Sequence, residues 1–540
     1  MLFSPRFLAS VASVGVAVAS PIKRETSPTV DIKNGTVEGK FLNGFNQDAF
    51  LGIPFAQKPI GDLRLRKPRS LNTTYDGVYE AKEYSDFCAG VGYDNWPYTV
   101  SEDCLYLNVI RPAGVSSDAA LPIGFWIHGG GYQMGGSGDM RYNASWIVER
   151  SVEMGKPIMV VSTNYRTAAL GFLASQEVSD AGEQNLGLYD QRLALNWVQE
   201  NIAAFGGDKT KVAIWGESAG GFAVGAQLLG YGLTSTPLFR AAIMESGTPA
   251  LFTPAAPSTY QANFDAVVNG TGCSGASDKL ACLRSITLET FNASASAFSW
   301  SPVVDGMLMP RSPSESLKLG EFVPVPLLLG ANTDEGASFG GSGTNTTEEI
   351  VGKLAASYPF LSNDTVSALL EAYPDDPSLG SPFNTGDLVL PSGVQQKRYN
   401  AMAGDFSMHA GRRRLAEVYS QAGAPVYSYR FDQPPQNATV LSGVGHFVEI
   451  AYVYGVPTEY KTANTLGNRP GDAELVKEVQ SQWISFIHDL DPNSGAVEGS
   501  PTWPEYSQNA TNYVHRRHGS VVEQDDYRKE GIQIMIDAAF

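Results

Sequence analysis

Ser218 lies in Gly216-Glu217-Ser218-Ala219-Gly220, after the apolar run Val212 to Trp215 and before the small-residue segment Ala219 to Leu229. G-x-S-x-G between a strand and a helix is the sharp turn that lifts a serine hydroxyl above a sheet edge. Side chains at 216 and 220 would collide with neighbouring backbone, and the start of a helix behind the serine favours a developing anion. A glycine-rich turn with an incidental serine is the plainer alternative, disfavoured by the strand and helix on either side. A serine placed this way is equipped for attack on a carbonyl, but a hydroxyl attacks only when a base takes its proton and an acid orients that base.

The histidines downstream are His409, His446, His488, His515 and His518. His446 sits in the glycine-rich stretch Gly443-Val444-Gly445-His446-Phe447-Val448-Glu449, where an imidazole can reach over a sheet edge. His409 precedes Arg412-Arg413-Arg414 on an expected solvated helix, His488 falls on a helix from Trp483 to Leu490, and His515 and His518 flank two arginines. These four read as surface residues. For the acid, Asp334 and Glu335 in Asn332-Thr333-Asp334-Glu335-Gly336 are equal by position, and Asp334 also suits a helix N-cap. His128-Gly129-Gly130-Gly131 follows the run Ile123 to Ile127 as an HGGG-type loop, whose main-chain N–H groups can serve an oxyanion. His128 itself reads as a structural residue, hydrogen-bonded behind the loop.

Such residues must be held by a rigid frame. Short apolar runs at Leu105 to Ile110, Ile123 to Ile127, Pro157 to Ser162, Val212 to Trp215, Ala241 to Met244, Val325 to Leu329 and Val426 to Phe431 predict buried strands. Leu186 to Ala204 and Ala219 to Leu229 predict helices between them. Strands alternating with helices imply an α/β fold, a mostly parallel central sheet covered on both faces, with the chemistry at the carboxyl ends of the strands. The stretches from about Thr253 to Ser301 and Ser338 to Gly411 lack strand periodicity and read as helical or irregular insertions around one sheet.

Gly216-Glu217-Ser218-Ala219-Gly220-Gly221, taken with Asn185 to Gln191, Phe205-Gly206-Gly207-Asp208, Glu102 to Asn108, His128 to Gly131, Asn164-Tyr165-Arg166, Glu245-Ser246-Gly247 and Asn332 to Gly336, resembles the type-B carboxylesterase/lipase family of the α/β-hydrolase fold. That family includes cholinesterases and secreted fungal lipases, and the likeness runs from about Asn34 through nearly the whole mature chain. The resemblance implies ester hydrolysis through an acyl-enzyme on Ser218, with His446 as base and Glu335 as the acid. It also implies Gly130, Gly131 and Ala219 as oxyanion donors. This chemistry requires no cofactor or metal, and the expected partner is a small-molecule ester.

One departure bears on substrate. Lipases of the family carry a long apolar lid between the first two cysteines, whereas Cys88 and Cys104 stand only 16 positions apart and enclose Asp94, Ser101, Glu102 and Asp103. That favours an esterase for more soluble or bulkier esters over a lipase or sterol esterase on long-chain esters. Trp96 and Tyr98 in this loop are candidates for lining a substrate gorge, with ordinary loop packing the plainer expectation. A non-catalytic adhesion protein and a biosynthetic acyltransferase are the remaining alternatives.

The frame of the whole chain is consistent with secretion. Residues 1–19 read as a signal peptide, with Arg6, an apolar stretch from Phe7 to Val18 and the small ending Ala17-Val18-Ala19. Lys23-Arg24 marks either the end of a short pro-segment, 20–24, or a solvated charge pair, and 25–540 reads as a single α/β-hydrolase catalytic domain with no transmembrane anchor. Sequons occur at Asn34, Asn72, Asn143, Asn269, Asn292, Asn345, Asn363, Asn437 and Asn509. Behind a signal peptide, Cys88, Cys104, Cys273 and Cys282 read as disulfides; three pairings are open, and the sequence-local one joins 88 to 104 and 273 to 282. Finger-like cysteine spacing is missing, which argues against zinc. Lys+Arg 38 against Asp+Glu 56 gives a net charge of −18, which disfavours a nucleic-acid partner.

Overall fold

A computed structural model describes residues 27–230, 238–457 and 466–540. The expected signal peptide and pro-segment lie outside these residues.

An eleven-stranded sheet forms the frame. Its strands in chain order are β1 (Lys40–Leu42), β2 (Gln47–Pro54), β3 (Tyr106–Pro112), β4 (Leu121–Ile127), β5 (Met159–Thr163), β6 (Gly207–Glu217), β7 (Ala241–Glu245), β8 (Leu327–Asn332), β9 (Val426–Phe431), β10 (Thr511–His515) and β11 (Val521–Gln524). In space the order is β11-β10-β9-β8-β7-β6-β4-β5-β3-β2-β1. The seven strands from β10 to β5 are parallel; β11 at one end and β3, β2 and β1 at the other are antiparallel. Each of the seven apolar runs in the sequence falls on one of these strands. β1, β2, β10 and β11 had no such signal, because edge strands mix polar residues into short runs: β2 buries Asp48 and pairs it with Arg111 of β3.

The central strands are buried on both faces, so they are apolar throughout rather than alternating. Phe125, Ile214 and Met244 face helices α1 (Leu186–Asn201) and α2 (Ala219–Leu229) through Leu195, Val198 and Val224. Their neighbours Trp126, Trp215 and Ile243 point the other way, onto a second core that includes Trp483, Ile484 and Ile487. The insertions are helical, as expected. They include α3 (Thr347–Ser357), α4 (Asn363–Ala372) and α5 (Gln396–Gly404); α6 (Ala410–Gln421) precedes β9, α7 (Asp472–Asp489) supplies Trp483, and α8 (Lys529–Ala539) follows the last strand. Disulfides join Cys88 to Cys104 and Cys273 to Cys282. Among the described residues no helix is long and apolar enough to cross a membrane.

Two surface assignments are corrected. His409, Arg412 and Arg413 are buried: Asp525 accepts from Arg412 Nη2 at 2.6 Å and from Arg413 Nη2 at 3.0 Å. His515 is also buried, at 2.7 Å from Gln482 Oε1. A run of basic residues looks solvated in sequence, but a carboxylate more than a hundred residues away makes its burial affordable. The sequon at Asn34 is likewise no surface acceptor, since its buried amide donates to the Leu71 and Thr73 carbonyls. Asn72, Asn269, Asn345, Asn363, Asn437 and Asn509 are exposed, and Asn143 and Asn292 half-buried.

Candidate active site

The carboxyl ends of β6, β8 and β9 converge on one place. Ser218 directly follows β6 and caps α2 with φ 54° and ψ −124°, a conformation that a side-chain-bearing residue holds only under constraint. The constraint is visible in its glycines: a Cβ at Gly220 would stand 2.1 Å from the Ile127 carbonyl oxygen, and one at Gly216 2.5 Å from Gly220. Ser218 N–H donates to the Glu245 carbonyl at the end of β7, tying the turn to the neighbouring strand.

Beyond β8 the chain turns through Asp334 and Glu335. Glu335 is fully buried, and its Oε2 accepts His446 Nδ1–H at 2.7 Å while Oε1 accepts from Asn332 N and Ser246 Oγ. Asp334 does not cap a helix. It accepts Val444 N–H at 2.9 Å, Phe383 N–H at 2.8 Å and Ser381 Oγ–H, so it moors the loop that carries His446. The Phe339 ring stands edge-on to the imidazole at 4.8 Å. His446 Nε2 lies 3.2 Å from Glu217 Oε1 and makes no hydrogen bond to Ser218 Oγ in this conformation.

The surroundings are rich in buried acid. Glu217 and Glu245 occupy paired positions on β6 and β7, and Glu449 and Glu335 complete a group of four. Burial raises the carboxyls of Glu217 and Glu245 well above the usual range and that of Glu449 to about 7. Glu335 goes the other way: burial opposes its charge, but His446 and the hydrogen bonds from Ser246 and Asn332 outweigh it. Glu245 receives the indole N–H of Trp215 and of Trp483, and Glu449 accepts from Asn332 Nδ2. Burial disfavours a charged His446, yet Glu217 and Glu335 overcome it and push the imidazole up to about 10.

Gly130 and Gly131 take φ 94° and 63°. A Cβ on Gly130 would meet the Met134 carbonyl oxygen at 2.2 Å, while the space beside Gly131 is open. Gly131, Ser218 and Ala219 line a cavity of about 370 Å³ with apolar walls. His128 is buried and held neutral, its pKa lowered to about 4 by burial; its ring stacks on Tyr165 and donates to the Gly129 carbonyl. Within the Cys88–Cys104 loop, Tyr98 packs on Phe87 at 4.2 Å, whereas Trp96 and Tyr93 stand 83% and 78% exposed. Neither Trp96 nor Tyr98 lines the cavity.

Ser246, Glu449 and Phe339 were not singled out from sequence. Ser246 was visible only within the matching Glu245-Ser246-Gly247 motif, and the other two carry no local mark because their contacts are long-range.

This architecture is that of the α/β-hydrolases. The structure of EstA from Aspergillus niger is similar at a TM-score of 0.83, with 28% identity, over 94% of this chain and 98% of that one. The chain belongs to the carboxylesterase family, which it matches over residues 26–534, and it is a carboxylic-ester hydrolase. Its relatives include the secreted triacylglycerol lipase LIP1 of Gibberella zeae, 34% identical over 96% of this chain and 92% of that protein. Lipase 5 of Diutina rugosa is 35% identical over 89% of each.

Proposed function

We propose that this is a secreted serine esterase that works through an acyl-enzyme, with Ser218 as nucleophile, His446 as general base and acid, and Glu335 orienting His446. The observation that carries the reading is the 2.7 Å contact between Glu335 and His446 on one side of a strained, glycine-framed Ser218.

In the first step, Ser218 Oγ forms a bond to the ester carbonyl carbon as its proton passes to His446 Nε2. The carbonyl π pair moves to oxygen, where the N–H groups of Gly130, Gly131 and Ala219 receive it. Collapse breaks the bond to the alcohol, which leaves with the proton from Nε2. Water then repeats the sequence on the acyl-enzyme. His446 must leave Glu217 and close on Ser218 for the first transfer, in keeping with catalytic hydrogen bonds that tighten only in the substrate complex. Glu335 fixes Nδ1–H, so that Nε2 is the free acceptor.

The short Cys88–Cys104 loop favours soluble esters, while the names of the relatives favour a lipase; secretion rests on the leader and on LIP1 of Gibberella zeae, which its name calls secreted. A jump in rate when a short-chain ester passes its solubility limit would favour the lipase reading, and a smooth profile the esterase. The catalytic assignment is tested by hydrolysis of a p-nitrophenyl ester. Ser218→Ala is expected to lose at least about 10⁴-fold in kcat. Retention of a tenth of the activity would refute the assignment.

A further inference from the structure

We propose that the Cys88–Cys104 loop is a fixed brace on the oxyanion turn, and that Asn95 is the positioning residue through which it holds the Gly130 and Gly131 N–H groups in place. The proposal rests on the serine-esterase reading above and deepens it.

The oxyanion loop doubles back on itself. The Gly130 carbonyl accepts from Gln133 N at 2.9 Å and from Met134 N at 3.2 Å, so residues 130–134 form one closed turn. The N–H groups of such a turn are aimed only as firmly as its far limb is held. That limb, Gln133-Met134-Gly135, is where the Cys88–Cys104 loop lies. Val91 N–H donates to the Gln133 carbonyl at 2.7 Å, and the Asn95 side-chain carbonyl accepts Gly135 N–H at 2.9 Å. Gly90 and Gly92 bring the two chains into direct contact. A Cβ at 90 would stand 2.2 Å from the Gln133 carbonyl oxygen, and one at 92 would stand 2.0 Å from the Met134 sulfur. Gly135 in turn packs on His128, where a Cβ would come within 2.9 Å of Nδ1. Asn95 therefore grips a residue seated on the start of the HGGG-type loop.

The brace is itself anchored. The Cys88–Cys104 disulfide closes its base, the Asp94 carboxylate pairs with Arg141 at 2.8 Å, and the Tyr98 hydroxyl accepts Met140 N–H at 2.9 Å. A loop fastened at 91, 92 and 95 cannot swing aside as a lid without dismantling the turn that receives the oxyanion. Among the described residues, Asn95 is the side chain of this loop that bonds the far limb, so it can be changed while the main-chain contacts stay. Donors that are already aimed stabilise the oxyanion more than the neutral ester, so loosening them costs turnover rather than substrate binding.

The test compares Asn95→Ala, Asn95→Ser and Asn95→Asp with the parent on p-nitrophenyl acetate. Active sites are counted by titration with an ethyl fluorophosphonate, so misfolded enzyme is left out. Ala removes the acceptor, Ser is one bond too short to reach Gly135, and Asp keeps Oδ1 in place. In the Ala and Ser variants kcat is expected to fall about 10-fold or more with KM within twofold, and in Asp to return to within about threefold of the parent. The second readout is inhibition by an aryl trifluoromethyl ketone. Ser218 Oγ adds to its carbonyl carbon, the serine proton passes to His446, and the carbonyl π pair becomes an oxyanion on the same N–H groups. Its Ki should rise by the factor by which kcat/KM falls. Trp96→Ala, at an 83% exposed position of the same loop, should leave kcat and Ki within twofold. A titrating Ala or Ser variant with kcat and Ki within twofold of the parent would overturn the brace. So would a loss carried by KM, an Asp variant no better than Ala, or an equal loss in Trp96→Ala. Failure of the serine reading would look different: the parent would not titrate, and Ser218→Ala would keep its turnover.

Discussion

Glu217 stands next to the nucleophile and faces Glu245 across paired strands, with both side chains buried and no lysine or arginine among their bonded partners. Like charges so placed repel, and burial raises both carboxyls. His446 is the nearby group that gains from this field. Burial works against its proton, but Glu217 and then Glu335 raise its pKa above the ordinary 6.5. The neutral imidazole is the form that can take the serine's proton, so turnover should climb as pH rises through that elevated value. The imidazolium in turn favours the Glu217 carboxylate, so the two share one proton; Glu217→Gln removes the larger of the two carboxylate fields that favour the imidazolium and lowers the His446 pKa. The acid limb of the kcat/KM profile is therefore expected to move to lower pH by about one unit or more. A limb that stays in place would show that Glu217 does not hold the proton on His446.

At the scale of elements, the loops after β8 and β9 are joined by Asp334. Its carboxylate accepts the main chain of Val444, two residues before His446, together with Phe383 N–H and Ser381 Oγ–H from the insertion. Asp334→Ala leaves three donors unanswered, two of them buried. It is expected to destabilise the fold by about 1–3 kcal/mol and to lower kcat with KM little changed, read by thermal unfolding and steady-state kinetics. An unaltered kcat in the folded variant would contradict the mooring role. From sequence, Asp334 and Glu335 were equal candidates by position, because only the return of the chain 110 residues later distinguishes them. The strands, α2 and the glycine-framed serine were legible because periodicity and turn chemistry are local. The π turn Asp405–His409, which puts Phe406, Ser407 and Met408 on the cavity wall, was not: the groups that bond it, Arg528 and Tyr527, lie more than a hundred residues further on.

Over the whole molecule, the net charge of −18 conceals where the charges sit. Arg412 and Arg413 lie in the interior with Asp525, and four glutamates lie beneath the site. Composition counts these as surface, and burial of a paired or hydrogen-bonded ion leaves no trace in a residue count. The eleven-stranded sheet is what relates Ser218, Glu335 and His446, residues spread over more than two hundred positions, and the order of their motifs was legible for that reason. Ser246 shows what order alone leaves open, since it is a second buried serine that bonds Glu335 directly at 2.5 Å. Which serine attacks is the central question. It is answered by acid quench of the enzyme during turnover of a slowly deacylated ester, followed by peptide mass spectrometry. One acyl group per active chain is expected, on the peptide containing Ser218 and at that residue. An acyl group on Ser246, or turnover with no acylated peptide, would contradict it.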